Sequence, residues 1–185
     1  MSFLINPFAF AVAGGDFESI ATVTVGSGGA ASIEFTSIPA TFAHLQVRYI
    51  ARSSGGTTGV TNLDMQFNSD TGSNYAWHQL YGTGSAAAAN ANSSKTSISV
   101  AGRAPEASTT ASVFGGNIID ILDYANTSKA TTMRSFHGAD TNGGGIVVVS
   151  SGLWTSTAAV TSIKLFHGSN FAQHTTAALF GVKAP

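Results

Sequence analysis

From Asp16 onward, large apolar residues and polar or small ones alternate along the chain in short runs. Ile20, Thr22 and Thr24 alternate with Ala21, Val23 and Val25 before a Gly26-Ser27-Gly28-Gly29 turn. Ile33 and Phe35 flank Glu34 in the next run, which closes at Ile38-Pro39. Leu45, Val47, Tyr49 and Ala51 alternate with Gln46, Arg48, Ile50 and Arg52, and Leu63, Met65 and Phe67 with Asp64 and Gln66. A period of two marks half-buried strands, whose successive side chains point to opposite faces. The same reading predicts strands at 77–81, 97–100, 113–122, 131–137, 146–154, 162–166 and 178–182. Helical periodicity is almost absent. The alanine run at 86–89 sits among Gly82, Gly84 and an Asn- and Ser-rich stretch, so a long loop is predicted near residues 82–96. Short strands spaced by Gly, Ser and Asn turns predict an all-β fold, a single antiparallel β-sandwich with jelly-roll-like topology. No repeat of 20 to 50 residues indicates a solenoid, and no heptads indicate a fibre stalk.

The first fifteen residues break the pattern. Phe3, Leu4, Ile5, Phe8, Phe10 and Val12 lie in an uncharged stretch that ends at Gly14-Gly15. Ala11-Val12-Ala13 mimics a signal-peptide cleavage site, but no Lys or Arg precedes Arg48, and Asn6-Pro7 interrupts the apolar run. A membrane-spanning helix needs about 20 apolar residues, more than this run supplies. Two readings stand. The stretch is either a first strand that caps the domain's own core or an extended docking arm that inserts into a neighbouring subunit. The second divides the chain into an apolar N-terminal arm, 1–15, and a β-sandwich domain, 16–185. It makes Phe3, Leu4, Ile5, Phe8, Phe10 and Val12 the partner-binding candidates.

Composition narrows the function. The chain has 185 residues, enough for one domain with its own core. Only 9% of them are charged, against roughly 25% in a typical soluble domain. A formal charge of −1 offers no attraction to nucleic acid or to an anionic membrane surface, so neither is expected as a partner. With no cysteine, disulfides, thiolate catalysis and Cys-based zinc sites are excluded. A surface this poor in charge has little colloidal repulsion and tends to associate. A component of an assembly is the expected mode of use.

Candidate chemistry adds little. Asp70-Thr71-Gly72 matches the aspartic-protease tripeptide, but that mechanism needs two carboxylates sharing a proton, and the tripeptide occurs once. Asp, Gly, Ser and Asn are also what a tight turn requires. Asp120 and Asp123 are three apart, which on a strand puts them on opposite faces, so an edge-facing or turn-capping role is expected in place of a metal site. His44, His78, His137, His167 and His174 fit no zinc-protease helix, although His167 and His174 bracket one turn. No G-x-S-x-G elbow occurs, and Gly143-Gly144-Gly145 precedes a strand instead of opening a phosphate-binding helix. Neither a cofactor nor a metal is expected. Tyr75, Trp77 and Tyr81 cluster around His78 and Gln79, where they serve either as core or as a surface that binds a sugar or a protein.

Several stretches resemble a known group. These are Phe17-Glu18-Ser19-Ile20-Ala21, Ile33-Glu34-Phe35-Thr36-Ser37-Ile38-Pro39 and His44-Leu45-Gln46-Val47-Arg48, followed by Phe67-Asn68-Ser69-Asp70-Thr71-Gly72-Ser73-Asn74-Tyr75, Ile118-Ile119-Asp120-Ile121-Leu122-Asp123-Tyr124 and Ser151-Gly152-Leu153-Trp154. Together they resemble small structural virion proteins of tailed bacteriophages, along nearly the whole chain after Asp16. The opening Phe3-Leu4-Ile5-Asn6-Pro7-Phe8 resembles short leaders on phage particle proteins. The resemblance implies a non-enzymatic particle component, assembled in the host cytoplasm, with other virion proteins as partners. A capsid cement or decoration protein that binds the major capsid protein and neighbouring copies is the first expectation. A tail fibre or tail-tip subunit with receptor or glycan binding is the alternative. Both placements imply a homotrimer.

Overall fold

The period-two segments fold as strands throughout the described residues, 16–184 of a computed structural model. The arm candidates Phe3, Leu4, Ile5, Phe8, Phe10 and Val12 lie outside the described residues. Twelve strands follow in order: β1 (Phe17–Thr24), β2 (Ala30–Phe35), β3 (His44–Ala51), β4 (Val60–Phe67), β5 (Tyr75–Gly82), β6 (Ala87–Lys95), β7 (Ile98–Pro105), β8 (Gly115–Leu122), β9 (Thr131–Asp140), β10 (Gly145–Trp154), β11 (Ile163–Phe171) and β12 (Thr176–Val182). No helix interrupts them among the described residues, so none there is long and apolar enough to cross a membrane.

The strands form two antiparallel sheets packed as a β-sandwich. One has eight strands in the order β1-β12-β3-β8-β9-β10-β5-β6, the other four in the order β2-β11-β4-β7. A simple jelly roll has eight strands. Here two hairpins, β5–β6 and β9–β10, contribute four strands, all to the larger sheet. That sheet is therefore twice as wide as its partner, and its β6 edge overhangs with all nine residues exposed.

The core lies between the sheets and is built by the alternation. Leu45, Val47, Tyr49 and Ala51 of β3 point inward with Ile119, Ile121, Met133, Ala177 and Leu179 from neighbouring strands. Ile33, Phe35, Leu63, Met65, Phe67, Ile163 and Leu165 face them from the smaller sheet. β7 presses closely on the larger sheet. A methyl group added at Gly152 would lie 2.7 Å from Ile98, and one at Gly102 would lie inside the Tyr49 hydroxyl at 1.8 Å.

One sequence expectation is corrected. Residues 82–96 are not a long loop: residues 87–95 form β6, paired with β5 from Gly82↔Ala87 to Tyr75↔Lys95. The turn at 83–86 lies outside the strands, and there Thr83 N–H donates to the Ala86 carbonyl at 2.9 Å. At the far end the ladder shifts register between Tyr75 and Trp77, where Ser94 has φ 53°. Alanine, asparagine and serine have low strand propensity. The segment is extended because β5 offers it a ladder of hydrogen bonds, which local composition does not reveal.

Candidate functional site

The enzyme-like features resolve as structure. Asp70 accepts hydrogen bonds from Trp154 Nε1 at 2.7 Å, Asn74 Nδ2 at 2.9 Å and the Gly72 N–H at 2.8 Å. These bonds, the indole's foremost, hold its carboxyl below the ordinary carboxylate range. Asp70 thus ties the β4–β5 turn to the end of β10, with Tyr75 Oη donating to the Asp70 carbonyl at 3.1 Å. Asp120 lies on the outer face of the larger sheet, where Gln46 Nε2 donates to it at 2.7 Å and Arg134 Nε at 3.0 Å. Asp123 sits in the following turn at φ 48°, its carboxylate paired with Lys129 and its backbone N–H donating to His44 Nδ1 at 2.9 Å. The two aspartates do not converge. Among the described residues, no group of three or more His, Asp or Glu side chains is placed to hold a metal ion.

The histidines are also dispersed. His167 stacks edge-on against Phe171 at 4.8 Å, while His174 occupies a turn at φ 71°. His137 is 2% exposed on the inner face, and neither ring nitrogen has a hydrogen-bond partner. Beside it, the Ser135 and Ser150 hydroxyls are buried and equally unpartnered, so neither serine is hydrogen-bonded to the imidazole. Arg103 reaches across from β7, with Nη2 donating to Gln79 Oε1 at 3.1 Å and its backbone N–H to Asn117 Oδ1 at 2.7 Å. Burial and this guanidinium push the His137 pKa down to about 3, which keeps the ring neutral.

The aromatic cluster is corrected as a surface. Tyr75, Trp77 and Tyr81 share one face of β5, but it is the inner one. Tyr75 is 1% and Trp77 8% exposed, and Tyr75 stacks on Trp154 with ring centroids 6.4 Å apart. Only Tyr81, near the overhanging edge, is half-buried. Tyr75 and Trp77 belong to the core and offer no binding surface.

The outer face of the larger sheet is different. Strand register places Arg48, Ile118, Phe136, Val149, Leu80 and Ala89 side by side in one row across β3, β8, β9, β10, β5 and β6. The next row runs through Ile50, Gly116, Gly138, Val147, Gly82 and Ala87. Ile50, Leu80, Ile118, Phe136, Val147 and Val149 are each 40–59% exposed. Half of six large apolar side chains amounts to on the order of 500 Å² of apolar surface, at the upper end for a monomer. Gly116, Gly138 and Gly82 leave the second row without side chains, so grooves open between the projecting ones. One of about 530 Å³ is lined by Ile50, Gly116, Ile118 and Phe136. A second, of about 580 Å³, lies on the other side of the stripe, toward a row of polar residues, and is lined by Leu80, Ala89, Arg134 and Val149. A polar row of Gln46, Asp120, Arg134, Ser151 and His78 borders the apolar stripe on one side. The Arg48 guanidinium turns away from the stripe to lie over the Phe17 and Phe180 rings, at 5.2 and 5.5 Å.

This face is hard to read from the chain alone. Its signal is an apolar residue out of phase with the core: Ile50 among Gln46, Arg48 and Arg52, and Phe136 two residues beyond Arg134. Each alone is unremarkable, since isolated exposed apolar residues are ordinary. Only the register across five strands shows that they adjoin. No protein-family model, no curated protein and no solved structure matches the chain.

Proposed function

We propose that the protein is a non-enzymatic structural protein of a tailed-phage virion, a capsid cement or decoration protein that binds the shell and neighbouring copies. The observation that carries the assembly role is the apolar stripe on the outer face of the eight-stranded sheet. Left in water it is a liability, and with a polar row beside it, it has the anatomy of a protein interface. Placement on a phage particle rests on the resemblance of the stretches between Asp16 and Trp154 to virion proteins. The single sandwich of the described residues, with no stalk among them, supports the head over the tail. Other virion proteins, the major capsid protein first, are the partners; cyclic closure of like copies uses such surfaces without open polymerisation, and the resemblance to virion proteins implies that the ring is a homotrimer. The protein reaches the virion after synthesis in the host cytoplasm. Electron microscopy of particles decorated with an antibody against the sandwich tests this, with label expected on the head. Label on the tail transfers the protein to the alternative, a tail fibre or tail-tip subunit. Particles without label remove the virion role altogether.

A further inference from the structure

The structure assigns the edge of β6, which pairs with no further strand among the described residues, as the seat of segment 8–12 from a second copy of the chain. This deepens the assembly reading and rests on it. Edge strands present unpaired N–H and C=O groups, and soluble proteins usually guard them with charge, bulges or cover. The other edges here are guarded. β1 carries a bulge between Ser19 and Ala21 and a Glu18–Lys183 ion pair at 3.2 Å. β2 carries a Glu34–Lys164 pair at 3.4 Å, and β7 is buried from Val100 to Pro105. β6 has none of these from Ala87 to Asn92: no charge, no proline and an unbroken register with β5 over Trp77 to Gly82.

The shape of that edge defines its occupant. Ala87, Ala89 and Ala91 form a shelf on the outer face beside Leu80, whose flank stays open at 59% exposure. Grooves of about 580 and 240 Å³ run along the two sides of Leu80. A strand added here needs large apolar side chains on its outer face, to reach over the alanine shelf to Leu80, and no charge. Phe8, Phe10 and Val12 alternate with Ala9, Ala11 and Ala13 in that pattern, and Pro7 stops the ladder on the far side.

The strand cannot come from the same chain. β1 and β6 are opposite edges of the eight-stranded sheet, so seven gaps of about 4.8 Å separate them by about 34 Å. Val12 lies four residues before Asp16 and spans at most about 14 Å from it, and Phe8 at most about 29 Å. The partner is therefore another copy, in a head-to-tail exchange whose closure generates a ring.

The absence of cysteine makes a direct test available. One preparation carries Phe10→Cys and another Ala89→Cys, and the two are mixed and mildly oxidised. The expected result is a reducible species of two chains containing both variants, in clear excess over either preparation alone. Ala89→Cys linking to itself as strongly overturns the assignment in favour of pairing between two β6 edges. A Phe10→Cys/Ser19→Cys double variant that closes within one chain overturns it in favour of an arm folded back on β1. An oligomer by mass with no cross-link overturns the exchange and leaves the assembly reading standing. A single-chain mass in every preparation also overturns the exchange, while the place on the particle is read independently by microscopy.

Discussion

His137 couples the fold to pH. Its imidazole is neutral in the folded protein, with a pKa of about 3, because burial and the nearby Arg103 guanidinium both oppose a second proton. In the unfolded chain it titrates near 6.5. Between those values the unfolded state binds the extra proton and the folded state does not, so stability falls as the pH drops from about 6.5 toward 3. The loss is about 1.4 kcal/mol per pH unit for each such proton. His167, also lowered chiefly by burial, acts in the same direction. The carboxyls of Asp70 and Asp123 are lowered as well, and their contributions fade only below about pH 4. Urea unfolding at pH 7, 6 and 5 should show a steady decline, and His137→Gln should flatten it. An equal slope in the variant would remove His137 as the cause. Gly102 gives a second expectation at this scale. An alanine there meets Tyr49 Oη and Asn117 Oδ1, and overpacking of this kind costs about 1–3 kcal/mol. Tyr49→Phe in the Gly102→Ala background should recover part of the lost melting temperature, whereas simple additivity would place the conflict elsewhere.

Among the connections, the 106–114 segment is gathered chiefly by Arg52, alongside Thr109 and Thr110 Oγ1, which donate to the Glu106 and Thr141 carbonyls at 2.8 and 3.0 Å. Arg52 Nη1 donates to Thr109 Oγ1, Thr110 O and Val113 O at 3.2, 3.0 and 2.9 Å, and Nη2 donates to Thr109 O and Ala107 O at 3.1 and 3.4 Å. Lysine carries a point charge and cannot fork across these acceptors. Arg52→Lys should therefore leave the sandwich folded but expose 107–113 to proteolysis, read as cleavage there by mass spectrometry. Resistance equal to the parent would show that the backbone holds itself. Arg52 was legible in the sequence only as a polar member of the β3 alternation. Most strands were legible because each buries one face: β3, β8 and β9 alternate almost without fault. β6 was not, because both of its faces meet solvent and no hydrophobic period marks them. Tyr75 and Trp77 show a related limit. Their spacing of two was visible, but which face of β5 is covered depends on β7, which follows them in the chain and packs over that face.

For the molecule as a whole, the unequal widths of the two sheets determine what is left open. The smaller sheet covers one face of the larger, and the apolar stripe lies on the other. Exposed side chains contribute little to folding, and surface substitutions usually change stability by no more than about 0.5 kcal/mol. A Phe136→Thr/Val149→Thr variant keeps strand-compatible side chains and should melt with the parent. Its mass in solution should shift toward a single chain, and its incorporation into particles should fall. An unchanged oligomer would direct attention away from this face. The pairing of β1 with β12 has a mechanical consequence. Phe17 stands opposite Val182, so the sandwich receives and releases its chain at the same end of one strand pair. Tension applied through those two points pulls across the ladder and opens it like a zip, one rung at a time, instead of shearing all rungs together. The domain yields at low force when pulled through its own ends. A load that reaches it through the broad face of the sheet is spread over many strands at once.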